Sequence, residues 1–322
     1  MQEPRLPGAP QCFRPRLTYP ASLIPVPSAI MSNSSSINAL SGGLPTVHDD
    51  MAPSVIFLIA YILSTALCLY RMLVQYRSPG RLLFAYFRLQ LFEVARVVTF
   101  IMRILLAENF TKVQKEEATL NKGILIGEQV LLGIGFLIPA FVLVRLVGYH
   151  TGRKQGGTIG VGRKRSLTWM MEMALTVALI FGVVAGVNFN NALNNADSAK
   201  SVKTDRTVSS VVVLVVLILL VLYSLSLLGH SDLPWATSLW LGLTSLLLIV
   251  VPSYCLHNIA HIPKDVNSST SKAEFYVLQL AVEWIVGASL LAVNAKEWCG
   301  IDERLQYSPE MQAMKSYSAE SV

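Results

Sequence analysis

Seven separate stretches of the chain are apolar, and each has about the length of a membrane-crossing helix. A helix rises about 1.5 Å per residue, so about 20–25 residues cross the roughly 30 Å hydrocarbon core of a bilayer. A soluble domain does not carry this many such stretches, and 53% of the 322 residues are hydrophobic while only 14% are charged. The sequence therefore predicts an all-α, polytopic membrane protein with a bundle of seven transmembrane helices. The stretches are residues 53–74, 82–106, 123–147, 167–188, 208–228, 235–256 and 275–295.

Charges that flank the first stretch predict how the bundle is oriented in the membrane. Asp49 and Asp50 precede this stretch, whereas Arg71, Arg77 and Arg81 follow it. The loop after the third stretch is basic as well. Because loops rich in Lys and Arg stay in the cytoplasm, we expect the N-terminus outside and the C-terminus in the cytoplasm. The net charge of +6 is then a signal of orientation and not of nucleic-acid binding.

Two polar tails flank the predicted bundle. Residues 1–50 are rich in Pro, Ser and Asn and are predicted to form a disordered extracytoplasmic tail. Residues 51–298 are predicted to form the transmembrane domain, and residues 299–322 a disordered cytoplasmic tail. Glycosylation sequons at Asn33 and Asn267 fall outside the cell in this topology, and we expect these two residues to be glycosylated.

The second stretch is unusual because it carries four charged side chains. Arg88, Arg96 and Arg103 fall within about 80° on a helix, and Glu93 lies at the edge of that arc. About fifteen large apolar residues favour insertion by roughly 0.3–0.6 kcal/mol each, whereas each central charge costs roughly 2.5–3.5 kcal/mol. Since these contributions nearly cancel, this helix needs polar partners from other helices.

The helical rise predicts which charged residues lie at the same depth in the membrane. Glu128 of the third stretch comes level with Arg96, and Glu283 of the seventh stretch comes level with Glu93. Leaving Arg96 unpaired in lipid would be costly. We therefore predict an ion pair between Arg96 and Glu128, and a close approach of Glu93 to Glu283.

Two interpretations of these charges stay open. The charges form an upper group and a lower group that matches Arg88 with Glu172 by depth. In the first interpretation, they pair only to orient the helices. In the second, the upper group lines a cavity that handles a proton, a cation or a lipid headgroup. Repulsion between Glu93 and Glu283 in one cavity would keep a proton on one of them, which suits proton coupling.

His257 and His261 form a His-x3-His pair at the outer end of the sixth stretch. Two imidazoles one turn apart can share a zinc ion, with Asp265 or Glu274 as a third ligand. The alternative, which we favour, is that two interfacial histidines end a helix and bind no metal. The sequence contains no P-loop, no metalloprotease or hydrolase motif and no dinucleotide fingerprint, so it predicts neither an enzyme nor a cofactor.

Two short runs of sequence carry a family resemblance. The first is Phe92-Glu93-Val94-Ala95-Arg96 with Met102-Arg103, which is similar to a Glu…Gly-Tyr…Arg pattern. The second is Gln129-Val-Leu-Leu with Pro139-Ala140 and Arg145, which is similar to Gln-x-x-Leu-Leu…Pro-x-x-x-Ala…Arg. Both patterns resemble the fungal aminocholesterol-resistance family of seven-helix proteins, also called lipid-translocating exporters. The arginines of that family's sixth span are missing, and Glu283 stands in place of its Tyr-x-x-Asp signature, so a distinct fungal seven-helix family is the alternative.

The resemblance implies lipid export or lipid-asymmetry control at the plasma membrane, or at an endomembrane, with membrane lipids as partners. It carries over Glu93, Arg96, Gln129 and Arg103 as functional positions. A seven-helix receptor is the second class of function, although the third stretch lacks Asp-Arg-Tyr and the seventh lacks Asn-Pro-x-x-Tyr. A metal-dependent membrane hydrolase is the third, and it rests on the histidine pair alone.

Overall fold

The structure is a computed structural model, and it describes residues 42–76, 80–115, 117–152, 161–192, 195–229, 233–261 and 267–299. These residues form helices joined by short turns, and no strand occurs among them. Two short helices, Phe189–Ala192 and Ala295–Trp298, accompany the long segments. The long segments are α1 Val47–Gln75, α2 Gly80–Gln114, α3 Lys122–Gly152, α4 Val161–Val187, α5 Ala196–Leu228, α6 Trp235–Ala260 and α7 Ser269–Ala292.

Six of these segments, all except α2, are long and apolar enough to cross a membrane. The chain is therefore an all-α integral membrane protein, as the sequence predicts. Segment α2 has 35 residues, and its charges set it apart from the other six. Leu91, Ile101 and Leu105 are exposed on one of its faces, while Glu93 and Arg103 are fully buried on the other. These two faces match the amphipathic pattern of the sequence, and a seventh crossing by α2 stays a prediction.

Segment α3 lies at the centre of the bundle and packs against α2, α4, α5, α6 and α7. Its helix ends at Gly135 and resumes at Leu137. Pro139 explains this break, because proline has no N–H to donate and its ring clashes with the carbonyl group of the residue four positions earlier. Segment α4 approaches α3 closely at Gly186, where a Cβ atom would lie 2.5 Å from the side chain of Val130. Small residues thus set the helix spacing here.

Among the described residues, two stretches have the wider π-helical turn. One is Arg71–Gln75 at the end of α1, and the other is Phe275–Ala281 inside α7. Such turns are frequent at functional sites. The turn in α7 contains Tyr276 and Gln279, which both contact the buried charges described below.

Candidate intramembrane polar site

Arg103 of α2 is fully buried and donates hydrogen bonds to groups from four parts of the chain. Its Nη1 lies 2.6 Å from Glu128 Oε1 of α3, and its Nη2 lies 2.7 Å from Asp50 Oδ1 of α1. Nε donates to the Tyr276 hydroxyl at 2.9 Å, and Nη2 also donates to the Gly42 carbonyl oxygen at 2.9 Å. This arrangement satisfies the planar guanidinium on its several N–H groups.

Lys272 of α7 supplies a second buried cation to the same group. Its Nζ lies 2.5 Å from Asp50 Oδ2 and donates to Thr46 Oγ1 at 2.6 Å. We call Asp50, Arg103, Glu128, Lys272 and Tyr276 the Arg103 cluster. The cluster holds two cations and two carboxylates, so its formal charges cancel without any bound ion.

Residues 42–50 pack on the bundle, although their composition placed them in the tail that was predicted to end at residue 50. Gly42 has φ +76°, and a Cβ atom there would lie 2.8 Å from the ring of Phe275, so only glycine fits. The Leu44 N–H donates to Asn267 Oδ1 at 2.9 Å, and the Leu44 side chain is buried. Residues 1–41, with Asn33, lie outside the described residues, as do residues 300–322.

Arg96 of α2 forms an ion pair with Glu283 of α7, and both side chains are buried. Its Nη1 donates to the Leu131 carbonyl oxygen at 3.4 Å. The guanidinium lies so close to Gly135 that a Cβ atom at that position would overlap it. The predicted pair between Arg96 and Glu128 is therefore wrong, because Glu128 pairs with Arg103 and Glu283 takes its place.

Several buried polar atoms surround this ion pair without a hydrogen-bond partner among the described residues. They are both carboxylate oxygens of Glu93, the hydroxyl group of Tyr61 and Oε1 of Gln279. All three side chains are at most 1% exposed. We call Tyr61, Glu93, Arg96, Gln279 and Glu283 the Arg96 cluster. It holds one cation and two carboxylates, so it carries one carboxylate in excess.

Glu93 lies against α7 at Gly287, and its predicted close approach to Glu283 stays a prediction. A Cβ atom on Gly287 would lie only 2.9 Å from Glu93 Oε1. Gly287 is one helical turn beyond Glu283, so both carboxyl groups reach the same part of α7. Glycine at this position is what allows α7 to approach Glu93.

Glu172 of α4 pairs with a different arginine from the one predicted. Its carboxylate forms an ion pair with Arg145 of α3. Arg88 instead lies over two aromatic rings, 4.7 Å from the ring centre of Phe84 and 5.3 Å from that of Phe141. Such cation–π contacts stabilise a partly buried guanidinium. The lower group is thus Glu172 with Arg145, and Arg88 acts on Glu172 electrostatically without forming an ion pair.

Two predicted sites remain, Gln129 and the histidine pair. Gln129 is 1% exposed, and its side chain hydrogen-bonds that of Glu128, so it adjoins the Arg103 cluster. The rings of His257 and His261 stack with their centres 5.0 Å apart. Within the described ranges no three His, Cys, Asp or Glu side chains are arranged to hold a metal ion, and Asp265 lies outside those ranges.

Most of the polar residues that α1 and α7 contribute were not predicted from the sequence. Asp50 was interpreted only as a charge that flanks the membrane, and the polar residues of α7 other than Glu283 were overlooked. A signal was present, because the α7 residues are spaced by four, three and four positions and share one helix face. We call the two facing rows the α2–α7 polar seam. The rows are Glu93, Arg96, Thr99 and Arg103 on α2, and Lys272, Tyr276, Gln279 and Glu283 on α7.

Comparison with protein-family models, with curated proteins and with solved structures gives no match. The fold and the buried charges nevertheless define a class, which is an integral membrane protein with ionisable side chains enclosed between its helices. Residues of this kind are rare in membrane interiors, and they commonly mark substrate or ion pathways. The resemblance to the aminocholesterol-resistance family stays a prediction.

Proposed function

We propose that this protein is a membrane transport protein that moves a lipid along the α2–α7 polar seam, with the lipid headgroup in contact with the seam. The proposal includes α2 as a seventh crossing and an N-terminus outside the membrane. One observation carries it. Three buried cations, Arg96, Arg103 and Lys272, follow one another along the seam, and each is neutralised by a carboxylate side chain.

The chemistry of these cations suits an anionic headgroup. Phosphate and carboxylate groups both accept paired hydrogen bonds from a guanidinium. A phosphate can therefore replace the Glu283 or Glu128 carboxylate at an arginine without leaving that arginine unpaired. Arg96 and Arg103 are seven residues apart, which is about 10.5 Å along a helix. A headgroup could thus pass between them in one short step, about a third of the thickness of the hydrocarbon core.

The test measures lipid movement across vesicles that contain the purified protein. Vesicles receive a fluorescent phosphatidylserine in both leaflets, and dithionite then bleaches the outer leaflet. With protein present, we expect bleaching beyond half of the fluorescence, because inner lipids reach the outer leaflet. Glu93→Gln keeps the side-chain volume and should slow this movement. Glu108→Gln is the matched control, since Glu108 is an exposed glutamate on the same helix.

Bleaching that stops at half with wild-type protein, as in protein-free vesicles, would refute lipid movement. The receptor would then be the stronger alternative, since it requires no lipid to cross. Equal rates for wild type and Glu93→Gln would mean that lipid moves without the aid of this carboxyl group. Size-exclusion profiles of all variants check that each has folded.

A further inference from the structure

Arg96 has two carboxyl groups within reach but pairs with one of them. Glu283 forms the ion pair across to α7. Glu93 lies three positions before Arg96 on α2, and residues at this spacing are neighbours on a helix surface. Neither oxygen of Glu93 has a hydrogen-bond donor among the described residues.

We propose that Glu93 and Glu283 are alternative partners of Arg96 and share one exchangeable proton. In the state that the structure describes, the proton resides on Glu93 and Arg96 pairs with Glu283. When the proton passes from Glu93 to Glu283, Arg96 pairs with Glu93 on its own helix and the ion pair to α7 is broken. The charge of the cluster is the same in both states, since one carboxyl group is neutral and one is ionised throughout. This inference identifies a proton as the coupling ion of the proposed transport site. It rests on the proposed function only in the claim that movement of the proton is coupled to transport.

The neutral state of one carboxyl group follows from burial and charge. A single guanidinium balances a single carboxylate, and burying a second ionised carboxylate without donors is strongly unfavourable. The groups that face the cluster from the other helices do not change this balance. Tyr61 and Cys68 face it from α1, and Cys255 faces it from α6. Segment α3 contributes the Leu131 carbonyl oxygen. Two further cations lie next to the thiols, Arg71 beside Cys68 and Arg206 of α5 beside Cys255. Arg96 is nevertheless the cation that acts on Glu93 and Glu283 themselves.

A proton fits this site better than a metal ion. A metal cation needs several oxygen ligands arranged around it. Glu93 Oε1 instead packs directly on the backbone of α7 at Gly287, where a Cβ atom would be only 2.9 Å away. The ring of Phe92 lies 3.4 Å from the same Cβ position. A proton requires no additional space.

The switch has a mechanical consequence for α7. The Arg103 cluster holds one end of α7 through Lys272 and Tyr276. The Arg96–Glu283 pair holds the following part of this segment. The π-helical turn Phe275–Ala281 lies almost entirely between these two attachments. Breaking the second attachment therefore loosens the first turn of Val282–Ala292, while Trp240 still donates to the Ser289 hydroxyl and Tyr86 to the Leu290 carbonyl oxygen.

Infrared spectroscopy of the full-length protein in lipid nanodiscs tests the shared proton, because a protonated carboxyl group absorbs apart from a carboxylate. At neutral pH we expect the wild type to show one buried carboxylic-acid band. Glu93→Gln removes the band. Glu283→Gln removes it as well, because Glu93 then ionises to pair with Arg96. Glu108→Gln, the exposed control, keeps it.

Hydrogen exchange gives the second readout. Glu283→Gln imitates the protonated Glu283, so amide exchange in the first turn of Val282–Ala292 should accelerate relative to wild type. Glu93→Gln keeps the Arg96–Glu283 pair and should leave this exchange unchanged. A band that persists in either glutamine variant, or a wild type without a band, would overturn the shared proton. Stabilisation by sodium that is lost in Glu93→Gln would also overturn it, in favour of a metal ion. Neither measurement requires lipid transport. A failure of the proposed function, which the vesicle assay detects, is therefore distinguished from a failure of the shared proton.

Discussion

Arg103→Ala removes the cation that Glu128 and Asp50 share. Asp50 keeps Lys272 at 2.5 Å, whereas Arg103 is the cation that pairs with Glu128 within the described part of the chain. Removing one partner of a buried ion pair costs roughly 3–5 kcal/mol, because the other charge is left uncompensated. We therefore expect Arg103→Ala to lower the free energy of unfolding by about 3–5 kcal/mol.

Removing the Glu128 carboxylate and removing the Asp50 carboxylate should change the free energy of unfolding differently when each is combined with Arg103→Ala. Coupled pairs show interaction energies of about 0.5–3 kcal/mol in double-mutant cycles. Since Glu128 has no second cation in the cluster, Arg103→Ala with Glu128→Ala should recover stability near the upper end of this range. Asp50→Asn should recover much less, because Lys272 then loses its near carboxylate and keeps only that of Asp49, at 3.6 Å. Low pH should also stabilise Arg103→Ala, since a proton neutralises Glu128 in the folded state.

The assay is reversible unfolding in mixed micelles, followed by tryptophan fluorescence. Lys112→Ala is the matched control, because Lys112 is exposed on the same helix and should change stability by less than about 0.5 kcal/mol. An Arg103→Ala variant as stable as this control would show that the buried pairs do not hold the bundle. A stronger coupling to Asp50 than to Glu128 would refute the assignment of partners.

Three further outcomes are expected. Gly42→Ala forces a side chain into the left-handed region and onto an adjacent aromatic ring, so it should detach residues 42–46, which hydrogen exchange would detect as loss of protection. Gly135→Ala should displace the Arg96 guanidinium and cost about 1–3 kcal/mol in the same unfolding assay. Gly133→Ala is its control, since a Cβ atom there meets nothing within 4 Å and stability should stay within about 0.5 kcal/mol. An epitope tag beside Asn33 should be accessible on intact cells, and access only after permeabilisation would refute the predicted orientation.

Hydropathy located the helices well but not their ends. The predicted second stretch stops at residue 106, whereas α2 continues to Gln114. Segment α5 likewise starts at Ala196, twelve residues before the predicted limit. Both extensions carry polar and charged residues, so they contribute nothing to a hydropathy signal. Helical hydrogen bonds continue through such residues wherever caps and tertiary contacts stabilise the helix. Asn195 provides one such cap by accepting a hydrogen bond from the Asp197 N–H at 3.0 Å.

The wrong prediction of an Arg96–Glu128 ion pair has the same origin as the wrong end predicted for α2. Depth matching assumed that all helices reach the outer surface at one plane. The extended end of α2 instead forms a hairpin with α3, in which Asn109 Oδ1 accepts from the Asn121 N–H at 3.0 Å. Arg103 therefore lies beside the first turn of α1 and not at a common outer surface. As a result, Glu128 lies beside Arg103 and not beside the predicted Arg96. The two arginines are seven residues, or about 10.5 Å, apart along the helix.

The two clusters differ in their charge balance and in how many of their buried oxygens lack a hydrogen-bond partner. In the Arg103 cluster the charges cancel, and each charged group has an opposite charge within 2.7 Å. These pairs orient the helices, and one oxygen of the cluster, Glu128 Oε2, has no hydrogen-bond partner among the described residues. The Arg96 cluster keeps one carboxylate in excess and leaves buried oxygens of Tyr61, Glu93 and Gln279 without donors. Stability alone does not explain unsatisfied groups of this kind, since each one costs free energy. The shared proton that we propose accounts for them, and Glu93 is therefore the first residue to test.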